Sequence, residues 1–306
     1  MPLVLICGGS GLIGQRLTTM LIEKGYEVII ATRSAQKNRN NNSVNPSYSI
    51  WNPAKEVIDA AVVSKADFII NLAGAGIAGK RWTAKRKREI TESRVQSCST
   101  IVKALQQHSN KVKAVINASG IGWYGADNAA NTENKFTEDN PPAPDFMGNT
   151  CKAWEESIQP VKDTGKRLVI LRTGIVLSNA GGALKEFAKP VRFGIAAILG
   201  SGKQIMSWVH IDDICRIYIY ALENEKLNGV YNAVAPMPVD NKSLTLAIAQ
   251  KIKGSFFITA HVPSFILKMI VGELSAEVLK STTVSCKKLR ETGFQFVYPS
   301  VEAALH

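Results

Sequence analysis

The chain has 306 residues, 37 lysines and arginines against 25 aspartates and glutamates, a formal net charge of +12, and 45% hydrophobic residues. That length buries a sizeable core as one large domain or two lobes, and no apolar run reaches the roughly 18 residues of a membrane span, so a globular enzyme without membrane contact is expected. Cys7, Cys98, Cys151, Cys215 and Cys286 are widely spaced, odd in number and without a CxxC pair, and His108, His210, His261 and His306 lack ligand spacing; this excludes a disulfide frame and a zinc site and predicts reduced thiols, a cytoplasmic setting and no metal.

The first element is an apolar run of strand length, Leu3-Val4-Leu5-Ile6-Cys7, with no basic stretch before it, so no secretory leader is expected. It enters Gly8-Gly9-Ser10-Gly11-Leu12-Ile13-Gly14, and a helical stretch follows over 15–24. Strand, glycine-rich turn and helix in this order form the first unit of a dinucleotide-binding fold. Gly8 permits the turn, Gly11 lets backbone approach a pyrophosphate, Gly14 lets helix and strand pack closely, and the helix start turns free N–H groups toward phosphate. The second strand, 27–31, ends at Thr32-Arg33-Ser34. Arg33 stands 19 residues after Gly14, where an NAD-preferring site carries Asp or Glu about 20 residues on. A guanidinium there matches a phosphate and Ser34 adds a hydroxyl, which predicts NADP(H); the alternative is a solvated loop arginine. The polar stretch 38–45 reads as a loop beside the adenosine end.

Further strand-length runs at 66–72, 112–118 and 167–171 alternate with helical patterns at 86–108 and 148–162. This βαβ alternation predicts a Rossmann-type α/β fold, a doubly wound parallel sheet with ligand residues just after each strand. The expected division is a dinucleotide-binding domain over 1–175, rejoined by a later strand and helix from 207–235, and a smaller substrate lobe over most of 176–306. Asp212 or Asp213 is expected to cap the helix over 214–223. The run from Lys80 to Arg88 reads as a solvated helix face or a site for an anionic ligand. No aromatic series accompanies it, so no specific nucleic-acid partner is expected.

Taken together, Gly8 to Gly14, Asn71-Leu72-Ala73-Gly74, Ala118 to Gly125, Cys151-Lys152-Ala153-Trp154-Glu155, Leu171 to Leu177, Ser207 to Asp213 and the tail Lys288 to Pro299 resemble an atypical extended short-chain dehydrogenase/reductase. The chain is similar to its NAD-dependent epimerase/dehydratase-like branch, which ends in a small C-terminal domain of unassigned role. The resemblance implies that Leu72, Ala73 and Gly74 pass behind the cofactor riboses, that Thr173, Gly174 and Ile175 lie beside the nicotinamide, and that Lys152 holds a ribose. In that superfamily a Tyr-x-x-x-Lys pair and a Ser move the hydroxyl proton. Here Gly148 stands four residues before Lys152, Gly120 stands at the Ser position beside Ser119, and Met206 replaces the arginine that contacts a sugar nucleotide. Tyr124, with Ser119 and Lys152, is the remaining catalytic candidate, or it only lines the pocket. Cys151 and His210 are weaker candidates, and Trp82, Trp123, Trp154 and Trp208 either wall a pocket or fill the core. Two functions stay open: an NADP(H)-dependent oxidoreductase or epimerase acting on a small hydroxyl- or carbonyl-bearing molecule, and a catalytically silent NADPH sensor or partner protein. By analogy with extended members, a homodimer through the helices at 86–108 and 148–162 is expected.

Overall fold

The computed structural model describes residues 1–33, 45–128 and 135–305. Strand β1 (Leu3–Cys7) is buried along its whole length and lies at the middle of an eight-stranded sheet, as its uninterrupted apolar sequence requires. Helix α1 (Leu12–Glu23) leads to β2 (Glu27–Thr32), β3 (Ser47–Asn52) and the short β4 (Val57–Ile58), which form one wing of the sheet. Helix α2 (Ala60–Lys65) crosses to β5 (Phe68–Asn71) on the other side of β1, and α3 (Ala84–Gln107), β6 (Ala114–Gly120), α4 (Phe146–Ile158) and β7 (Arg167–Thr173) extend that wing. All pairings among these strands are parallel except β3 with β4.

The chain then leaves the sheet through β8 (Ile175–Ser178), β9 (Gly181–Gly182), α5 (Ala183–Arg192), β10 (Ile195–Leu199), β11 (Ile205–Met206) and β12 (Trp208–His210). It returns with α6 (Ile211–Glu223) and β13 (Gly229–Ala233), which pairs with β7 and gives the order β13-β7-β6-β5-β1-β2-β3-β4. After that come β14 (Val239–Asp240), α7 (Asn241–Lys253), β15 (Ile258–Val262), α8 (Ser264–Val271), α9 (Leu274–Leu279), α10 (Lys287–Glu291) and α11 (Val301–Leu305). Helix α1 packs on α6 and α3 packs on α4, so the sheet is covered by two helical layers. A second core, which includes Leu184, Val191, Trp208, Leu244 and Ile248, lies between α5, α7 and the short strands. Among the described residues no helix is long and apolar enough to cross a membrane.

Several local expectations are corrected. The helix expected over 86–108 starts at Ala84, because the Thr83 side chain accepts the Arg86 N–H. The helix expected over 148–162 runs Phe146–Ile158, capped by Asp145 and followed by a tighter turn over Gln159–Thr164. Strand β3 sits beyond the polar stretch after β2 and was not foreseen. Helix α6 starts earlier than expected and is capped by His210, whose Nδ1 accepts the Asp212 N–H at 3.2 Å. Asp213 instead lies buried and accepts the Val297 and Tyr298 N–H groups at 3.0 and 2.8 Å.

Candidate cofactor cleft and active site

The turn between β1 and α1 is a cradle with no room for a side chain at Gly8 or Gly14. Gly8 has φ +88°, and a Cβ on it would fall 2.8 Å from the backbone of Leu72 and Ala73. A Cβ on Gly14 would fall 2.6 Å from the Gly9 Cα. Gly11 caps α1 with its backbone alone, and no side chain caps that end. The first N–H groups of α1, beginning at Leu12 and Ile13, therefore keep their donors and the positive end of the helix dipole for an anion. The side chain of Leu12 packs beneath Gly181 and Gly182.

Above this turn opens a cleft of about 760 Å³, lined by Gly8, Ser10 and Gly11, by Arg33 beyond the end of β2, and by Leu72, Ala73 and Gly74 beyond the end of β5. The carboxyl ends of the strands are where an open parallel sheet holds its ligand. The structure thus brings Gly8, Ser10, Gly11, Arg33, Leu72, Ala73 and Gly74 to one cleft, whereas Leu12, Ile13 and Gly14 are not among its lining. Ser34 lies outside the described residues. Four lining residues, Trp51, Asn52, Pro53 and Ala54, come from the unforeseen β3 and its exit, and Ser93 and Gln96 come from α3. Helix α3 also shapes the wall: Ser93 Oγ accepts the Ala75 N–H at 2.9 Å, Arg94 Nη1 donates to Ala75 O at 3.0 Å, and Arg86 donates to Gly76 O. Beneath the cleft, Asn71 Nδ2 donates to Asn117 Oδ1 at 2.8 Å while its Oδ1 accepts the Ala73 N–H at 3.2 Å. These buried amides lock the ends of β5 and β6 together.

The expected catalytic residues do not gather into one set. Lys152 is exposed on α4, with its ammonium 3.9 Å from Glu156. The buried side of that helix carries Met147, Cys151 and Glu155, and it is Glu155 that contacts Ser119. A tyrosine could not replace Gly148, since a Cβ there would fall 2.1 Å from Ala143 O. Ser119 Oγ donates to Glu155 Oε1 at 2.7 Å. Tyr124 is buried, donates to Asn232 Oδ1 at 2.6 Å and accepts from Arg172 Nη1 at 3.0 Å. Burial pushes its phenol up to about 12, although Arg172 opposes the shift. Both hydroxyls thus belong to one buried network centred on Arg172, whose Nε and Nη2 lie 2.8 and 2.9 Å from the two Glu155 oxygens. The Arg172 guanidinium also stacks 3.7 Å from the Trp123 ring.

Gly120 and Thr173 are register partners at the ends of β6 and β7, and Cys151 reaches them: its Sγ donates to Gly120 O at 3.6 Å. Burial, with Glu155 nearby, pushes the Cys151 thiol up to about 12, so it stays protonated. Gly174 is held closely, since a Cβ on it would meet Ser207 O at 2.7 Å, and the Ile175 N–H donates to the same oxygen at 2.9 Å. Thr173, Gly174 and Ile175 stand beside Gly120 and do not line the cleft around Gly8. Trp82, Trp154 and Trp208 are buried core residues, and Met206 is buried as well. Among the described residues no three His, Cys, Asp or Glu side chains are grouped to hold a metal.

The model of the NAD dependent epimerase/dehydratase family matches residues 4–233. The chain belongs to that family. Residues 262–306 match a second model, a domain of unknown function called DUF1731. Epimerase family protein YfhF of Bacillus subtilis is 33% identical over 303 residues, covering 99% of this chain and 96% of its own length. The human epimerase family protein SDR39U1 (isoform 2), solved with NADPH, superposes with a TM-score of 0.85 at 29% identity, over 99% of this chain and 97% of that one. UDP-glucose 4-epimerase of Thermus thermophilus, solved with NAD, shares the fold alone, with a TM-score of 0.75 at 20% identity over 99% of this chain and 97% of that one. The residues present fit the nicotinamide dinucleotide of the family: a Cβ on Gly8 or Gly14 would crowd the glycine cradle, the start of α1 has no side-chain cap, and the volume lies in the range of about 300–1,000 Å³ usual for such sites.

Proposed function

We propose that this chain binds NADP(H) in the cleft above Gly8 to Gly14 and is an epimerase- or oxidoreductase-like protein acting on a small hydroxyl- or carbonyl-bearing molecule. The observation that carries the proposal is the glycine cradle, closed to side chains at Gly8 and Gly14, beside a helix start without a side-chain cap, with Arg33 lining the same cleft. The N–H groups of Leu12 and Ile13 hold the pyrophosphate, and Arg33 takes the 2′-phosphate that distinguishes NADP(H) from NAD(H). Leu72, Ala73 and Gly74 back the riboses, and Thr173, Gly174 and Ile175 flank the nicotinamide. When bound, the cofactor supplies or accepts a hydride.

The chain's own residues limit how a proton moves at the reacting end. The Ser119 hydroxyl is committed to Glu155 and the Tyr124 phenol to Asn232, and the raised phenol keeps its proton at neutral pH. The cation that contacts the phenol is Arg172, while the Lys152 ammonium lies 3.9 Å from Glu156. This geometry favours a reaction whose proton comes from the substrate or from solvent. It also supports the second reading, a protein that binds NADPH without turning it over.

Two measurements test the proposal. Titration of intrinsic NADPH fluorescence should give tight binding, weaker binding of NADH, and a loss of about 10- to 100-fold in NADPH affinity for Arg33→Ala with little change for NADH. Equal affinities for both nucleotides would remove the NADP(H) assignment. Incubation with NADPH deuterated at the transferable position and a metabolite extract should place label in a small molecule. Tight binding with no label in any product supports the silent reading.

A further inference from the structure

Helix α8, with the sequence Ser-Phe-Ile-Leu-Lys-Met-Ile-Val, is apolar on nearly every side, yet only Leu267 is buried. A helix of that composition ordinarily belongs in a core. Here Phe265, Met269 and Ile270 are 66%, 69% and 63% exposed. The helix is held in that attitude from beneath. Arg81 Nε donates to Ile270 O at 3.3 Å and the same guanidinium donates to Met269 O. Lys87 pairs with Glu273, and Leu274 packs with Trp82 and Phe146. The densest basic run of the chain, Lys80 to Arg88, is therefore fastened against the apolar helix.

The charges around this face are unbalanced. Three acidic groups of the region are already engaged, Glu89 with Arg86, Glu273 with Lys87 and Glu277 with Lys280, while Glu92 lies exposed one turn beyond Arg88. Lys80, Lys85, Arg88 and Lys268 are exposed, and no carboxylate among the described residues pairs with them. We propose that α8 and the Lys80–Arg88 run form one docking surface for an anionic lipid bilayer, with Phe265, Met269 and Ile270 entering the acyl boundary and the cations resting on the headgroups. An exposed apolar helix fastened to a basic run that carries unpaired cations suits a deformable negative surface.

Flotation of the whole protein with lipid vesicles tests the assignment. The protein should rise with phosphatidylcholine vesicles containing about 30% phosphatidylglycerol and stay down with phosphatidylcholine alone. Raising NaCl from about 50 to about 500 mM should weaken the association. Each cation contributes roughly five-fold to partitioning, so Lys80→Gln/Lys85→Gln/Arg88→Gln should lose on the order of 100-fold. Phe265→Ser/Met269→Ser should lose at least about 10-fold while keeping the wild-type melting temperature, since both side chains are already in solvent. Wild-type protein that ignores anionic vesicles overturns the proposal, as do variants that float like wild type. So does a dimer in light scattering that Phe265→Ser/Met269→Ser turns into monomer without any flotation of the wild type, because a second copy then covers the helix.

Discussion

Replacing Glu155 by Gln tests the buried network at the ends of β6 and β7. The side chains of Glu155 and Arg172 are 5% and 3% exposed, so water does not screen them. Three hydrogen bonds end on the carboxylate, from Ser119 Oγ at 2.7 Å and from Arg172 Nε and Nη2 at 2.8 and 2.9 Å. Glutamine keeps the shape but turns one acceptor into an N–H donor facing a guanidinium, and leaves that cation without a counter-charge. Removing one partner of such a pair costs about 3–5 kcal/mol, against about 1 kcal/mol or less for a solvated pair. With a urea slope of about 3 kcal/mol/M, the unfolding midpoint should fall by roughly 1 M or more. Glu155→Gln combined with Arg172→Met should recover much of the loss, because no buried charge is then left unpaired. A single-variant cost under about 1 kcal/mol would refute the reasoning, since the pair would then be behaving as a surface contact.

Gly14→Ala should abolish NADPH binding in a fluorescence titration and cost about 1–3 kcal/mol of stability, because its Cβ would meet the backbone of Gly8 and Gly9 at 2.7 and 2.6 Å; unchanged affinity would refute the cradle. His210 gives a pH dependence: burial lowers its pKa from the usual 6.5, and its Nδ1 must stay unprotonated to accept the Asp212 N–H. The stability it contributes is present above pH 6.5 and is lost as the pH falls through the lowered folded value. Urea midpoints between about pH 7 and pH 5 should decline, by no more than the roughly 0.5–2 kcal/mol of a helix cap, and His210→Asn should flatten that slope.

The first βα unit was legible because its rules are local: a strand, a glycine turn and a helix in consecutive residues. Arg33 was found the same way, by counting along the chain to the end of β2. Strand β3 was missed because Ser47–Asn52 has a mixed burial pattern and follows a polar stretch, and with it went Trp51 and Asn52. Lys152 was placed by the motif position that the resemblance implies, and a motif position does not say which face of a helix looks inward. The pairing of Glu155 with Arg172, on a strand 17 residues away, fixes that face. Neighbouring residues on a helix point about 100° apart, so the inward position passes to Cys151. The capping role of His210 escaped because Asp is the commoner cap, while tertiary contacts with Val297 and Tyr298 had already claimed Asp213.

The return of α6 and β13 to the main sheet has a consequence for how the chain can be divided. A fragment ending near residue 175 would lack the strand that covers β7 and the helix that packs on α1. A fragment reaching β13 would still leave α6 unsecured. The Val297 and Tyr298 N–H groups bind Asp213, Arg216 donates to Gln295 O at 2.9 Å, and Tyr220 donates to Thr292 O at 2.6 Å. The nucleotide half is thus tied off by the last segments of the chain. An excised nucleotide half should therefore be less stable than the whole chain, and a trim of the final dozen residues should be felt in the cofactor half some 80 positions upstream of the cut.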